Sequence, residues 1–225
     1  MNIVRNCGAS DWIAPSTRAH PKVRATLMAL AGAAAMVPAM MLPAHAAAAS
    51  PAASATVTVA GVEIERTAQV GASTLVLNGA GKRTRFFFDV YVAGLYLGAH
   101  LGDAAGILGD PGPKRLSMTL MRNLSAEQLS DALREGISLN SSPAELASLS
   151  AQVEALVGTM NLIGSAAKGD LLTIDFLADG TTRVAINGQP RGSPIPGADF
   201  QRALLKVWLG AKPVQADLKK ALLGD

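Results

Sequence analysis

The chain has 225 residues, 49% of them hydrophobic and 16% charged. That balance describes a globular protein with a core and excludes a disordered or fibrous one. The formal charge of +3 is concentrated near the N-terminus, where Arg5, Arg18, Lys22 and Arg24 face only Asp11. The rest of the chain is close to neutral, so its charge gives no ground for nucleic-acid binding.

The first element is an apolar run from Ala25 to Leu42, preceded by Lys22 and Arg24 and followed by Pro43-Ala44-His45-Ala46. Charged, apolar and small residues in that order predict a cleaved secretory signal over residues 1–46, ending at Ala44-x-Ala46. The rival reading is a retained membrane anchor. Gly32 and Pro38 interrupt the run, which falls just short of the about 20 apolar residues that span a bilayer. The signal implies a periplasmic or secreted protein that meets a membrane only through an uncleaved leader. The one cysteine, Cys7, lies in that leader. The mature chain therefore has no disulfide, no cysteine nucleophile and no thiolate for a metal. Residues 47–56, nearly all Ala, Ser and Pro, read as a linker. Residues 57–225 have the size of one domain.

Within that domain the elements follow in order. Val62 to Val70 and Thr74 to Leu77 predict short strands separated at Gly71. Asn78-Gly79-Ala80-Gly81-Lys82-Arg83 reads as a glycine-hinged turn. Arg85 to Gly98 reads as a long strand, apolar on both faces and therefore central and covered. Gly102 to Pro113, with four glycines and two prolines, reads as a loop. Arg115 to Met121 predicts a strand with Leu116, Met118 and Leu120 on one face. The period then changes. Ser125 with Gln128 makes a capping-box pattern, and Leu129, Leu133 and Ile137 share one helical face. Ser142-Pro143 starts a second helix with a stripe of Leu146, Leu149, Val153, Leu156 and Met160. Lys168-Gly169-Asp170 turns into a strand from Leu171 to Leu177, and Asp179-Gly180 signals a hairpin to Thr182–Ile186. Asn187-Gly188 ends that strand, and Gln189 to Gly197 reads as a Pro/Gly loop. A third helix carries Phe200, Leu204, Val207 and Trp208, and a short last helix follows Pro213. Strands grouped with strands and helices with helices predict α+β: a mostly antiparallel sheet with helices layered on one face.

Several familiar chemistries are excluded. Gly81-Lys82 is followed by Arg83 where a phosphate loop needs Ser or Thr, and Val76 stands at its first glycine. Gly79-Ala80-Gly81 lacks the third glycine of a dinucleotide fingerprint and precedes a strand. His100 is the only histidine beyond the leader, so neither a zinc pair nor a Ser-His dyad forms. No metal and no cofactor is expected, and no catalytic set is evident.

Arg83 is the strongest positive feature. Its planar guanidinium fits a carboxylate bidentately, although Lys82, Arg83 and Arg85 also suit a solvated turn. Without a bulge, Arg83, Arg85, Phe87, Asp89 and Tyr91 share one strand face, and Tyr96 lies on the other. Tyr91 then joins Arg83 in a cleft, or Asp89 neutralises the arginine and no ligand is needed. Ser193, with Arg191, sits in the loop before the third helix, where it either meets a ligand or makes a turn.

The pieces Leu77 to Arg83, Val90 to Leu97, Leu124 to Glu135, Lys168-Gly169-Asp170, Asn187-Gly188 and Phe200 to Gly210 resemble, in order and spacing, the chalcone isomerase-like family, and specifically an exported bacterial branch of it. The resemblance implies a large antiparallel sheet, helices on one face and a ligand cleft between them. In the plant enzymes of that family an arginine after the Gly-Ala-Gly segment steers a phenolate into cyclisation, and Arg83 matches it. The threonine of the next strand is replaced by Tyr91. The catalytic tyrosine and asparagine of the first helix fall at Leu129 and Gly136, which offer no side-chain hydrogen bond, and a Ser or Thr near the last loop corresponds to Ser193. The resemblance thus implies a non-catalytic binder of a small apolar acid such as a fatty acid, with Arg83, Tyr91 and Ser193 at the site. An intramolecular lyase acting on a chalcone-like phenol, and an envelope interaction module without ligand, are the alternatives.

Overall fold

The computed structural model describes residues 56–225; the expected leader and almost all of the expected linker lie outside the described residues. β1 (Thr56–Val59) and β2 (Val62–Glu65) form a small antiparallel hairpin. The main sheet takes β3 (Thr67–Val70), β4 (Ser73–Arg85) and β5 (Phe88–Leu97). A short helix α1 (Ala104–Gly109) leads to β6 (Lys114–Leu120). A two-residue strand β7 (Leu124–Ser125) opens the helical part, α2 (Ala126–Leu139), α3 (Pro143–Ser148) and α4 (Ser150–Ile163). The chain returns through β8 (Ser165–Ala166), which pairs with β7, to β9 (Leu171–Phe176), β10 (Thr181–Ile186) and β11 (Gln189–Pro196). It ends in α5 (Ala198–Leu209) and α6 (Ala216–Leu222).

The seven-stranded sheet runs β11-β10-β9-β6-β5-β4-β3, antiparallel throughout. The expected α+β class is the observed one. β5 is central, and every residue from Val90 to Leu97 is buried. Tyr91, Ala93, Leu95 and Leu97 point into the main core, against Leu133, Ile137, Phe200, Leu204 and Trp208 from the helices. Val92 and Tyr96 point the other way, into a smaller cluster with Ile64, Val70 and Leu75. Helices cover one face and the β1–β2 hairpin shelters part of the other, which is why β5 is apolar on both sides. Leu116, Met118 and Leu120 of β6 join the helix-side core together.

Local chemistry accounts for the starts of α2 and α3. Ser125 accepts from the backbone N–H of Gln128, and the Gln128 side chain answers to the N–H of Ser125. Ser142 and Glu145 build the same box for α3. Each box satisfies two of the N–H groups a helix start leaves open.

Four expectations are corrected. The segment from Asn78 to Arg83 is not a turn but part of β4, and the hairpin turns at Phe86-Phe87 instead. The expected second helix is two, α3 and α4, broken at Leu149. Gly102 to Pro113 contains α1, capped by Asp103 and anchored by the fully buried Ile107. Gln189 to Pro196 is an edge strand, reached through Asn187-Gly188 with both residues at positive φ. Proline is tolerated there because an outer strand leaves some N–H groups unused.

The glycines of β4 have a packing reason. A Cβ on Gly81 would stand 2.7 Å from the Ala221 Cβ, and one on Gly79 would overlap the Ala221 carbonyl. Helix α6 therefore lies directly on the β4 backbone. Asn78, bulged out of the β4–β5 ladder, accepts from the Leu101 N–H and donates to the Leu222 carbonyl, tying the end of α6 down.

Candidate functional site

A second bulge in the β4–β5 ladder decides what Arg83 faces. Arg83 pairs with Tyr91 and Thr84 with Asp89, leaving Val90 as the extra residue. One extra residue reverses the side-chain alternation beyond it. Tyr91 stays beside Arg83, while Asp89 is turned to the face of Lys82 and Thr84. There it forms an ion pair with Lys82 Nζ at 2.8 Å and accepts from Thr84 Oγ1 at 3.2 Å. Both contacts hold the Asp89 carboxyl below its ordinary range. The expected sharing of one face by Arg83 and Asp89 is thus overturned. Arg83 has no ion pair among the described residues. The Gln215 side chain, which accepts from the Thr84 N–H at 2.8 Å, holds the strand at this point.

What Arg83 faces instead is a cavity of about 570 Å³ between the sheet and α2 and α5. Its floor is apolar: Val90, Met118, Leu120 and Leu172 from the strands. Leu129, Ala132 and Leu133 of α2, with Val207 of α5, form the helical wall. The mouth carries Arg85, Arg122, Phe86 and Phe88, with Asp131 and Glu135 of α2 on the opposite rim. A smaller cavity of about 230 Å³ adjoins the first; Arg83 and Arg85 line both, and Lys212 adds a third cation.

Tyr91 is buried at the inner end. The Arg83 guanidinium carbon lies 5.6 Å from the centre of its ring, a cation–π distance. Trp208 Nε1 donates to the Tyr91 hydroxyl oxygen at 2.8 Å. Burial pushes the Tyr91 phenol up, and the Arg83 charge and the Trp208 N–H oppose that shift without cancelling it. The phenol is therefore neutral at ordinary pH. With its oxygen already accepting from Trp208, it keeps its own proton to donate. Arg83 and Tyr91 together offer two donors at one end of an apolar hollow. That suits an acid group with a hydrocarbon tail, because a desolvated charge costs much unless paired.

Ser193, the third expected ligand residue, lies elsewhere. It is exposed on the edge strand β11, separated from β4 by four strands, and does not line the cavity. His100 is exposed. Leu129 does line the cavity. Gly136 is a close helix crossing, where a Cβ would come within 2.6 Å of Val207 Cγ1. Sequence reasoning missed Trp208 as the partner of Tyr91, since its place in an apolar stripe reads only as core. It also missed the mouth residues Phe86, Phe88 and Arg122. No group of His, Cys, Asp and Glu among the described residues is arranged to hold a metal ion.

Comparison with proteins of curated function finds no match. Among solved structures, a fatty-acid-binding protein from Arabidopsis thaliana is similar, with a TM-score of 0.56 and 15% identity, covering 75% of this chain and 96% of that one. At that identity the likeness is one of fold. The model of the chalcone isomerase-like family matches residues 56–224, three-quarters of the sequence and nearly all of the described structure. The chain belongs to the chalcone isomerase-like family.

Proposed function

We propose that this protein binds a small apolar acid, such as a fatty acid, without transforming it. Arg83 pairs with the acid group, the Tyr91 hydroxyl donates a second hydrogen bond, and the apolar floor and helical wall hold the tail. The observation that carries the reading is an arginine lining an apolar hollow with no carboxylate partner among the described residues. The volume lies within the about 300–1,000 Å³ usual for small-molecule sites. The plant protein of similar fold, described as fatty-acid-binding, supports the same ligand class. The apolar Leu129 in the wall supports a binder over a lyase: Tyr91 is the acid–base group beside Arg83, and the carboxylates of Asp131 and Glu135 lie on the rim, so proton transfer there is poorly supplied.

The test is calorimetric titration of the protein with palmitate and with the alcohol of equal chain length, alongside Arg83→Ala. Palmitate should bind, the alcohol more weakly, and Arg83→Ala should lose about tenfold or more for palmitate alone, as a charge-assisted hydrogen bond requires. Equal palmitate affinity in both proteins rejects the arginine's role.

We also propose that the protein is exported, to the periplasm or beyond the cell, on the strength of Lys22, Arg24, the apolar run and Ala44-x-Ala46. N-terminal sequencing of the protein recovered outside the cytoplasm should begin at Ala47. An intact Met1 there rejects cleavage.

A further inference from the structure

The β4–β5 hairpin ends in three consecutive phenylalanines that the fold leaves in water. Phe86, Phe87 and Phe88 are 84%, 97% and 61% exposed. Isolated exposed apolar residues are ordinary, but a contiguous apolar tip marks an interaction surface. The turn makes the choice of residue more pointed. Phe86 sits at φ +56, where glycine or asparagine is the usual occupant and a bulky side chain is an outlier. A glycine or asparagine there would relieve both the backbone and the exposure.

The surroundings of the tip are cationic. The Arg85 guanidinium carbon lies 5.9 Å from the centre of the Phe86 ring, and that of Arg122, from the loop after β6, 5.2 Å from the Phe88 ring. Neither arginine has an ion pair among the described residues. The nearest strand carboxylate, Asp89, is already paired with Lys82. Asp131 and Glu135 stand across the mouth on α2, not on the tip. Aromatic rings projecting beyond a collar of arginines match a bilayer interface: rings enter the acyl boundary while guanidinium groups meet anionic headgroups.

Phe86 and Phe88 have a second position. Both line the mouth of the cavity that holds Arg83. The exposed aromatic tip of the described fold is therefore also the lip of the apolar hollow beside Arg83. We propose that the Phe86–Phe88 tip docks on an anionic lipid bilayer, with Arg85 and Arg122 contacting headgroups and the cavity mouth opening toward the acyl region. Docking in this way gives an apolar molecule a path between bilayer and cavity that does not cross water. The contact does not depend on what the cavity holds, so it is tested without any acid present.

The full chain carrying Phe87→Trp is mixed with vesicles of phosphatidylcholine and phosphatidylglycerol, and with vesicles of phosphatidylcholine alone. The parent chain supplies the background from Trp12 and Trp208. Because the signal comes from the indole introduced at the tip, membrane attachment through the N-terminal segment does not produce it. With phosphatidylglycerol present, emission from that indole should shift to the blue, be quenched by lipids brominated on their acyl chains, and be shielded from acrylamide. Adding Phe86→Gly and Phe88→Ser should weaken vesicle-dependent shielding by about tenfold or more, the scale set by withdrawing one or two phenyl groups. Arg85→Gln with Arg122→Gln should remove the preference for phosphatidylglycerol. A tip indole equally open to acrylamide with and without vesicles overturns the proposal, as does a shift indifferent to phosphatidylglycerol. A tip that stays in water with vesicles but is shielded by a protein also overturns it.

Discussion

The indole N–H of Trp208 and the phenol oxygen of Tyr91 meet at 2.8 Å although 117 positions separate them in sequence. Both are buried, and both line the cavity. Tyr91→Phe leaves the indole donor unpaired and should cost about 1–3 kcal/mol in urea unfolding. Trp208→Phe should cost at least as much, since it also removes packing. The double variant should be less unstable than the two losses added, by about 1 kcal/mol. Simple additivity in the cycle would show that the bond contributes nothing.

The chain has only two tyrosines, and burial raises the phenol pKa of both Tyr91 and Tyr96 above the ordinary 10.0. A raised acid favours the folded state while the unfolded phenol is still protonated. Stability from this source is therefore fully present below about pH 10 and is lost as pH climbs from there toward the folded-state pKa values. Native protein held at pH 10 should show much less than half of its tyrosines ionised by absorbance at about 295 nm, the half expected of a free phenol at its pKa. The urea-unfolded chain should show that half. Equal tyrosinate signals in the two states refute the shift.

Gly81→Ala places a methyl group 2.7 Å from the Ala221 Cβ, and the backbone of α6 must retreat. Overpacking of this kind costs about 1–3 kcal/mol. Gly98→Ala, where a Cβ meets nothing within 4 Å, should be neutral or slightly stabilising. Thermal unfolding of the two variants checks the contrast. Matched melting temperatures would deny α6 its contact with β4.

Ala132 lines the cavity from α2 and is only half-buried. Ala132→Phe should fill the hollow at little cost to stability while lowering palmitate affinity by about tenfold or more, since the ring occupies space the tail needs. Calorimetry and urea unfolding on the same sample separate the two effects. Undiminished binding would place the tail elsewhere.

The parts of this molecule that sequence makes legible are those set by neighbours a few residues apart. The capping box at Ser125 and Gln128, the apolar stripe of Leu133 and Ile137, and the double-faced β5 each follow from local period and local chemistry. What stays hidden depends on partners far along the chain. Gly79 and Gly81 read as a flexible turn because the helix that requires their bare backbone comes about 140 residues later. The bulge at Val90 has no residue signature, yet it decides whether Asp89 or open space faces Arg83. Pro190, Pro194 and Pro196 disguise β11, since proline argues against a strand unless the strand is known to be an edge. The cleft arginine is legible as a cation near an apolar strand; its lack of a carboxylate partner among the described residues is not.

Gln215 supports the backbone next to Arg83, and the Leu222 carbonyl receives Asn78 midway along β4. The strand that carries the arginine is thus positioned by residues 131 and 144 positions away in the chain. Contacts spanning so much of the chain close slowly, because most of the loop entropy is lost before any of them forms. A chain whose sheet has formed before α6 docks lacks that support beneath β4. A chain truncated before Gln215 should therefore bind palmitate more weakly than the 225-residue chain, although every cavity-lining residue remains.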